Sequence, residues 1–90
     1  MNLLISTVVL ITGASRGIGH STAEYLAEKG YTVYAGVRTM MEHPTIHPIL
    51  LDVTQPETIH NAVQTILNQE GRIDVVINND GCFHNVNAEI

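Results

Sequence analysis

The chain has 90 residues, 44% of them hydrophobic and 14% charged, with a formal net charge of −5 at pH 7. That length holds one domain at most, and the balance is that of a globular chain. Four Lys and Arg stand against nine Asp and Glu. This argues against nucleic acid or an anionic membrane surface as a partner, and no apolar run reaches the roughly 20 residues of a membrane span.

Met1 to Thr7 carries no basic stretch and no cleavage pattern, so it does not read as a signal peptide. The single cysteine, Cys82, has no internal disulfide partner. That fits a reducing compartment, and a cytoplasmic location is the expectation.

Val8-Val9-Leu10-Ile11 is a continuous apolar run, the pattern of a strand covered on both faces. Thr12-Gly13-Ala14-Ser15-Arg16-Gly17-Ile18-Gly19 follows directly. A helix is predicted from Ile18 to Lys29, with Ile18, Thr22 and Leu26 on one face, Ala23 and Ala27 beside them, and Gly30 as the stop. Thr32 to Val37 reads as a second strand, rich in β-branched residues. Met40 to Pro48 carries two prolines and has room for at most one helical turn. Ile49-Leu50-Leu51 reads as a third strand ending at Asp52.

Thr54-Gln55-Pro56-Glu57 fits a capping box with proline near the first turn. Ile59, Val63, Ile66 and Leu67 then mark one amphipathic helix face, which Gly71 ends. Ile73 to Ile77 reads as the fourth strand, followed by Asn78-Asn79-Asp80-Gly81. Cys82 to Ile90 shows no pattern. The alternation implies an α/β fold of Rossmann type: a doubly wound parallel sheet of about four strands in the order 3-2-1-4, with helices on both faces. Residues 1–90 would then form a single, partial domain of that kind.

In such a sheet the ligand lies beyond the C-terminal ends of the strands. Four segments fall at those ends: Gly13 to Gly19, Arg38, Asp52 and Asn79. The first has the logic of a phosphate cradle. Gly13 lets the chain leave the strand sharply, Gly17 lets backbone approach a diphosphate, and Gly19 lets the helix pack close to the sheet. The helix N-terminus presents free N–H groups and a positive dipole end to the anion. At the end of the second strand, Ala35-Gly36-Val37-Arg38 lacks the carboxylate that usually meets a ribose 2′-hydroxyl. A guanidinium there binds a 2′-phosphate bidentately, so the expectation is NADP(H) in preference to NAD(H).

The run TGASRGIG, with its glycines spaced G-x-x-x-G-x-G, resembles the cofactor loop of the classical short-chain dehydrogenase/reductase family. The resemblance extends from about Thr7 to Gly81 and covers roughly the first third of a typical member. It implies that Arg16, just before Gly17, reaches the same phosphate as Arg38, with the Ser15 hydroxyl added, and that Ile18 is a further cofactor-binding residue. By the same resemblance Asp52 accepts a hydrogen bond from the adenine amino group and Val53 contacts the ring. Asn78-Asn79-Asp80-Gly81 resembles the family's N-N-A-G, so Asn79 and Gly81 would touch the cofactor ribose; Asp80 departs from it, placing a carboxylate where desolvation and repulsion are unfavourable. The family's catalytic Asn, Ser, Tyr and Lys all come later and are absent. The chain is thus expected to hold a cofactor but not to reduce a carbonyl alone.

Other signals carry less. Tyr25-Leu26-Ala27-Glu28-Lys29 matches the family's Y-x-x-x-K but lies on the first helix, where it reads as a surface i, i+4 pair. His43 and His47 are separated by Pro44 and complete no metal set, so no metal is expected. His20, His60 and His84 read as isolated, and Cys82 as an inert thiol. Val75-Val76-Ile77 would form an apolar sheet edge inviting association with itself or a relative. Two further readings stay open: a nucleotide-binding or regulatory module that pairs with a full-length relative, and a non-functional truncated product.

Overall fold

The structure, a computed structural model, describes residues 6–79. Its elements are β1 (Val8–Ile11), α1 (Gly17–Glu28), β2 (Thr32–Val37), β3 (His47–Leu50), α2 (Pro56–Glu70) and β4 (Val75–Ile77). The four strands form one parallel sheet in the order β3-β2-β1-β4. This is the α/β, Rossmann-type order expected from the sequence.

Side chains alternate across the sheet, so each strand feeds two cores. Val9, Ile11, Val33, Ala35 and Val37 pack with Ala23 of α1 and with Ile46. Val8, Leu10, Tyr34, Ile49 and Leu51 pack on the other face with Ala62 and Ile66 of α2. The apolar stripe of α2 is therefore centred on Ala62 and Ile66, with Ile59 packed beside them, while Leu67 at its margin is 38% exposed.

Both helices end as glycine dictates. At the end of α1, Gly30 N–H bonds the Ala27 carbonyl at 3.1 Å and Tyr31 N–H bonds the Leu26 carbonyl at 3.1 Å. That pair of bonds is a Schellman closure. At the end of α2, Gly71 N–H bonds the Leu67 carbonyl at 2.9 Å.

Several boundaries differ from the sequence reading. Ile18 is 79% exposed; the buried stripe of α1 runs through Gly19 and Ala23, one residue on. β3 begins at His47 and includes Pro48. Among the described residues it pairs only with β2, and an edge strand tolerates a residue that cannot donate to the ladder. No helical turn forms between Met40 and Thr45. The capping box is replaced: Gln55 is the N-cap of α2 and caps nothing with its side chain, Pro56 is the first helical residue, and Thr54 turns back to Asp52. The Thr58 hydroxyl instead accepts from Asp52 N–H at 2.8 Å, and its oxygen lies 2.8 Å from the Gln55 carbonyl. β4 is shorter than expected, spanning Val75–Ile77. Asp74 ahead of it holds the start of the sheet: its carboxylate accepts from Val8 N–H and Arg72 Nε, each at 2.8 Å, and Arg72 Nη2 donates to the Ser6 carbonyl at 2.6 Å.

Candidate nucleotide-binding site

The glycine segment lies between the C-terminal end of β1 and the first turn of α1. Gly13 and Gly17 have φ of 61° and 68°, a region that L side chains occupy at a cost. A Cβ added at Gly17 would meet no atom within 4 Å. The backbone there faces open space, as it also does at Gly30 and Gly71. Arg16 is the N-cap of α1 in extended conformation and makes no side-chain cap bond; the first turn contains no acidic residue. The N-terminus of α1 therefore keeps its donors and its dipole uncompensated by a carboxylate.

The other face of the loop is crowded and tied down. Thr12 is the one buried polar residue recorded among the described residues, at 6% exposure. Its N–H donates to the Ile77 carbonyl at 3.0 Å, and its hydroxyl donates to Asn78 Oδ1 at 3.0 Å. The same hydroxyl oxygen accepts from Asn79 N–H at 2.9 Å. The Asn79 carboxamide then donates to the Gly13 carbonyl at 3.2 Å, and Ala14 N–H bonds the Gly36 carbonyl at 3.1 Å. Gly19 packs against this knot: an added Cβ would sit 2.6 Å from the Gly13 carbonyl oxygen and on top of Asn79 Nδ2. Gly36 fills a similar place on β2, where an added Cβ would lie 3.1 Å from Leu51 Cβ.

The remaining predicted residues also stand at strand ends. Ser15, Arg16 and Ile18 are exposed on the loop and first turn; Arg38 is exposed immediately after β2. Asp52 lies just beyond β3 and Val53, 42% exposed, follows it. Asp52 Oδ1 accepts from the Thr54 hydroxyl at 2.7 Å and from Thr54 N–H at 2.9 Å. These bonds, hydroxyl first, hold its carboxyl below the usual range, and the positive charge of Arg38 adds to the effect. The ends of β2 and β3 thus bring one cation and one anion toward the same side. Asp80, Gly81, Cys82 and His84 lie outside the described residues.

Sequence reasoning passed over the hydroxyl of Thr12 and the part of Gly36, although both lie within or beside segments it marked. It also read His20 as isolated, which the structure corrects. His20 Nε2 lies 3.1 Å from Glu24 Oε2, and His43 Nε2 lies 2.8 Å from the same oxygen. The i, i+4 spacing of His20 and Glu24 was visible; the return of His43 to that face was not. The Tyr25–Lys29 pair is a surface contact, with Lys29 Nζ 5.3 Å from the centroid of the exposed Tyr25 ring.

A parallel 3-2-1-4 sheet with a glycine turn after β1 defines a Rossmann-type nucleotide-binding unit. Comparison with known proteins makes the class specific. The family model described as short chain dehydrogenase matches residues 7–89, and the chain belongs to that family, whose members bind a nicotinamide dinucleotide. It is 41% identical over 75 residues to a 3-ketodihydrosphingosine reductase of Bacteroides thetaiotaomicron, covering 82% of this chain and 28% of that protein. It is 35% identical over 92 residues to a 7alpha-hydroxysteroid dehydrogenase of Paraclostridium sordellii, covering 90% of this chain and 34% of that one. Among solved structures, the ligand-free aldohexose dehydrogenase of Thermoplasma acidophilum superposes with a TM-score of 0.77 at 32% identity, covering 82% of this chain and 29% of that chain. The chain spans about a third of the length of the curated relatives it matches. No helix among the described residues is long and apolar enough to cross a membrane.

Proposed function

We propose that this chain is the NADP(H)-binding part of a short-chain dehydrogenase/reductase-type oxidoreductase, inactive without the later segment that carries the catalytic tyrosine and lysine in the family it resembles. The observation that carries the reading is the cradle over Gly17. Backbone bare of side chains, an N-terminus without a carboxylate and an arginine at the N-cap meet at one point. In this reading the diphosphate rests on the first turn of α1, with Ser15 and Ile18 beside it. Arg16 and Arg38 take the 2′-phosphate, and Asp52 and Val53 flank the adenine. Asn79 and Gly81 meet the ribose, while Gly13 and Gly19 shape the loop. When bound, the nicotinamide supplies the hydride in the complete enzyme. This chain's own residues bind and orient it. The carbonyl or alcohol substrates of the reductase and dehydrogenase relatives are the class proposed for the complete enzyme, with a cytoplasmic location.

The test is a binding titration of the purified chain with NADPH and NADH. NADPH should bind more tightly, and Arg38→Asp should shift the preference toward NADH. Equal binding of both cofactors, or an unchanged preference in Arg38→Asp, removes the 2′-phosphate assignment.

A second reading, a module that pairs with itself or with a full-length relative, is favoured by one observation. Val75 and Val76 of β4 are 41% and 40% exposed, and among the described residues β4 pairs only with β1. Such a strand is open to pairing by another chain.

A further inference from the structure

His20, Glu24 and His43 form a cluster beside the glycine loop, joined to it through the Ala14 carbonyl. Each offers one ligand atom, and the three atoms all lie within 4.8 Å of one another. His20 and Glu24 stand one turn apart on α1, the spacing that puts two ligands on one helix face. His43 arrives from the segment between β2 and β3, which is anchored by Ile46, 3% exposed in the α1-side core. Two carboxylate-to-imidazole distances are 3.1 and 2.8 Å. Ligand atoms on a tetrahedral zinc with bonds of about 2.0–2.1 Å stand roughly 3.3 Å apart; the two carboxylate-to-imidazole distances are near that spacing, and the two imidazoles, within 4.8 Å of one another, close on the ion by side-chain rotation.

The hydrogen bonds of His20 add an independent argument. Its Nδ1 lies 3.2 Å from the Ala14 carbonyl. A carbonyl only accepts, so Nδ1 carries a proton. The other ring nitrogen, Nε2, faces a Glu24 carboxylate oxygen 3.1 Å away, which also only accepts. A ring proton or a metal ion placed there satisfies both atoms. An Nδ1–H donated to a backbone carbonyl is also the outer-shell arrangement that fixes a metal-binding imidazole. His43 is set differently: its Nδ1 lies 3.1 Å from Thr45 N and 3.4 Å from Ile46 N and accepts from them. Its Nε2 therefore holds a proton in the metal-free chain and donates it to Glu24. On metal binding that proton is lost from Nε2, Nδ1 becomes the protonated nitrogen, and the two backbone contacts are given up. The cluster is partly open to water, with His20, Glu24 and His43 side chains 27%, 48% and 13% exposed. A metal has a path in, and a water can complete the tetrahedron.

We propose that His20 Nε2, the Glu24 carboxylate and His43 Nε2 bind one divalent transition metal of zinc type, which fastens the segment after β2 to α1. The borderline-soft imidazole pair with one carboxylate selects zinc-like ions over magnesium or calcium, which prefer all-oxygen shells.

The test is zinc titration of the chelator-stripped chain by calorimetry, with no cofactor present. One equivalent should bind, and the Thr45 and Ile46 amide resonances should shift with it. His20→Gln and His43→Gln should each weaken binding by at least the 10–100-fold typical of losing even an outer-shell partner, while His60→Gln on α2 should leave it unchanged. X-ray absorption on the zinc-loaded chain should show two imidazole ligands. Absence of stoichiometric zinc binding overturns the proposal. So does binding that survives both histidine substitutions, because scattered surface histidines then account for it. Should the variants fail to fold, the wild-type amide shifts decide alone: zinc binding that leaves Thr45 and Ile46 unmoved refutes the site.

Discussion

Gly19→Ala tests the idea that the nucleotide loop is shaped from below by close backbone packing. The new methyl would lie 2.6 Å from the Gly13 carbonyl oxygen, 3.2 Å from Ala14 Cα, and on top of Asn79 Nδ2. Real Cβ atoms essentially never come within 3.0 Å of another heavy atom, so something must move. Two of the three neighbours are backbone of the loop itself. The third is held by a 3.2 Å bond to the Gly13 carbonyl. Overpacking of this kind costs about 1–3 kcal/mol, and losing the Asn79 bond costs about 1 kcal/mol more. Alanine's better helix propensity offsets up to about 1 kcal/mol. The net is a loss of about 2 kcal/mol, or roughly 30-fold in the folding equilibrium. In a chain of 90 residues that corresponds to a fall in Tm of about 10 °C. Urea denaturation followed by far-UV circular dichroism measures it, and an NADPH titration should show weakened binding in parallel. Gly71→Ala is the control. Its φ is 83° but nothing lies within 4 Å of the added methyl, so only the left-handed backbone cost of roughly 1–2 kcal/mol applies, with NADPH binding unaffected. A Gly19→Ala chain as stable as wild type, binding NADPH as well, would refute the packing argument.

Ile66→Ala should destabilise the chain by about 2–5 kcal/mol, because Ile66 is fully buried between α2 and the sheet; chemical denaturation checks it, and a loss below 1 kcal/mol would mean that α2 does not seat on this core. Asp74 is held below the usual carboxylate range, first by Arg72 and then by Val8 N–H. A carboxyl with a lowered folded pKa contributes stability that is present above its unfolded pKa and lost as pH falls through the folded one. Wild type should therefore weaken as pH drops below about 4, while Asp74→Asn should be weaker at pH 7 and flatter over that acid range; equal slopes in denaturation midpoint would count against the Asp74 clip. Val76→Lys places a charge on the exposed face of β4 and should reduce self-association of the isolated chain in sedimentation velocity, and a monomeric wild type would remove the open-edge reading.

The parallel order was legible because the strands are short runs between turns and two of the three connections contain one helical period. Two residues show where that reading gives out. Ile18 was placed with the buried stripe because it is apolar and in phase with Leu26. It is exposed because Gly19, with no side chain, is the residue that faces the sheet. Hydrophobicity says that a residue prefers burial; it does not say which neighbour gets there by being small. Pro48 pushed the expected third strand two residues late, since proline reads as a breaker in a central strand and is tolerated at an edge. The turn after β1 was legible from the local glycine spacing, and the position of Arg38 directly after β2 from the strand pattern. The rest was not legible where partners lie far apart in sequence. Thr12 and Asn79 are 67 residues apart, and no periodicity announces a hydroxyl that must both give and receive. His43 belongs to a segment with neither helix nor strand period, so nothing local fixed its return to α1.

The hydrogen bonds at the β1–β4 seam also explain why the nucleotide loop cannot be separated from the strand that follows α2. Gly13 and Gly17 provide the permitted backbone angles, but permission does not select a shape. The Gly13 carbonyl is aimed by Asn79, and among the described residues the Thr12 hydroxyl that anchors the loop bonds Asn78 and Asn79. Removing those two asparagines leaves a buried hydroxyl without its partners, a loss of about 1–3 kcal/mol. It also removes the neighbour against which Gly19 packs. The shape of the glycine loop is thus a property of two strands that meet only in the folded sheet, with the glycine motif as one half and the asparagine pair as the other.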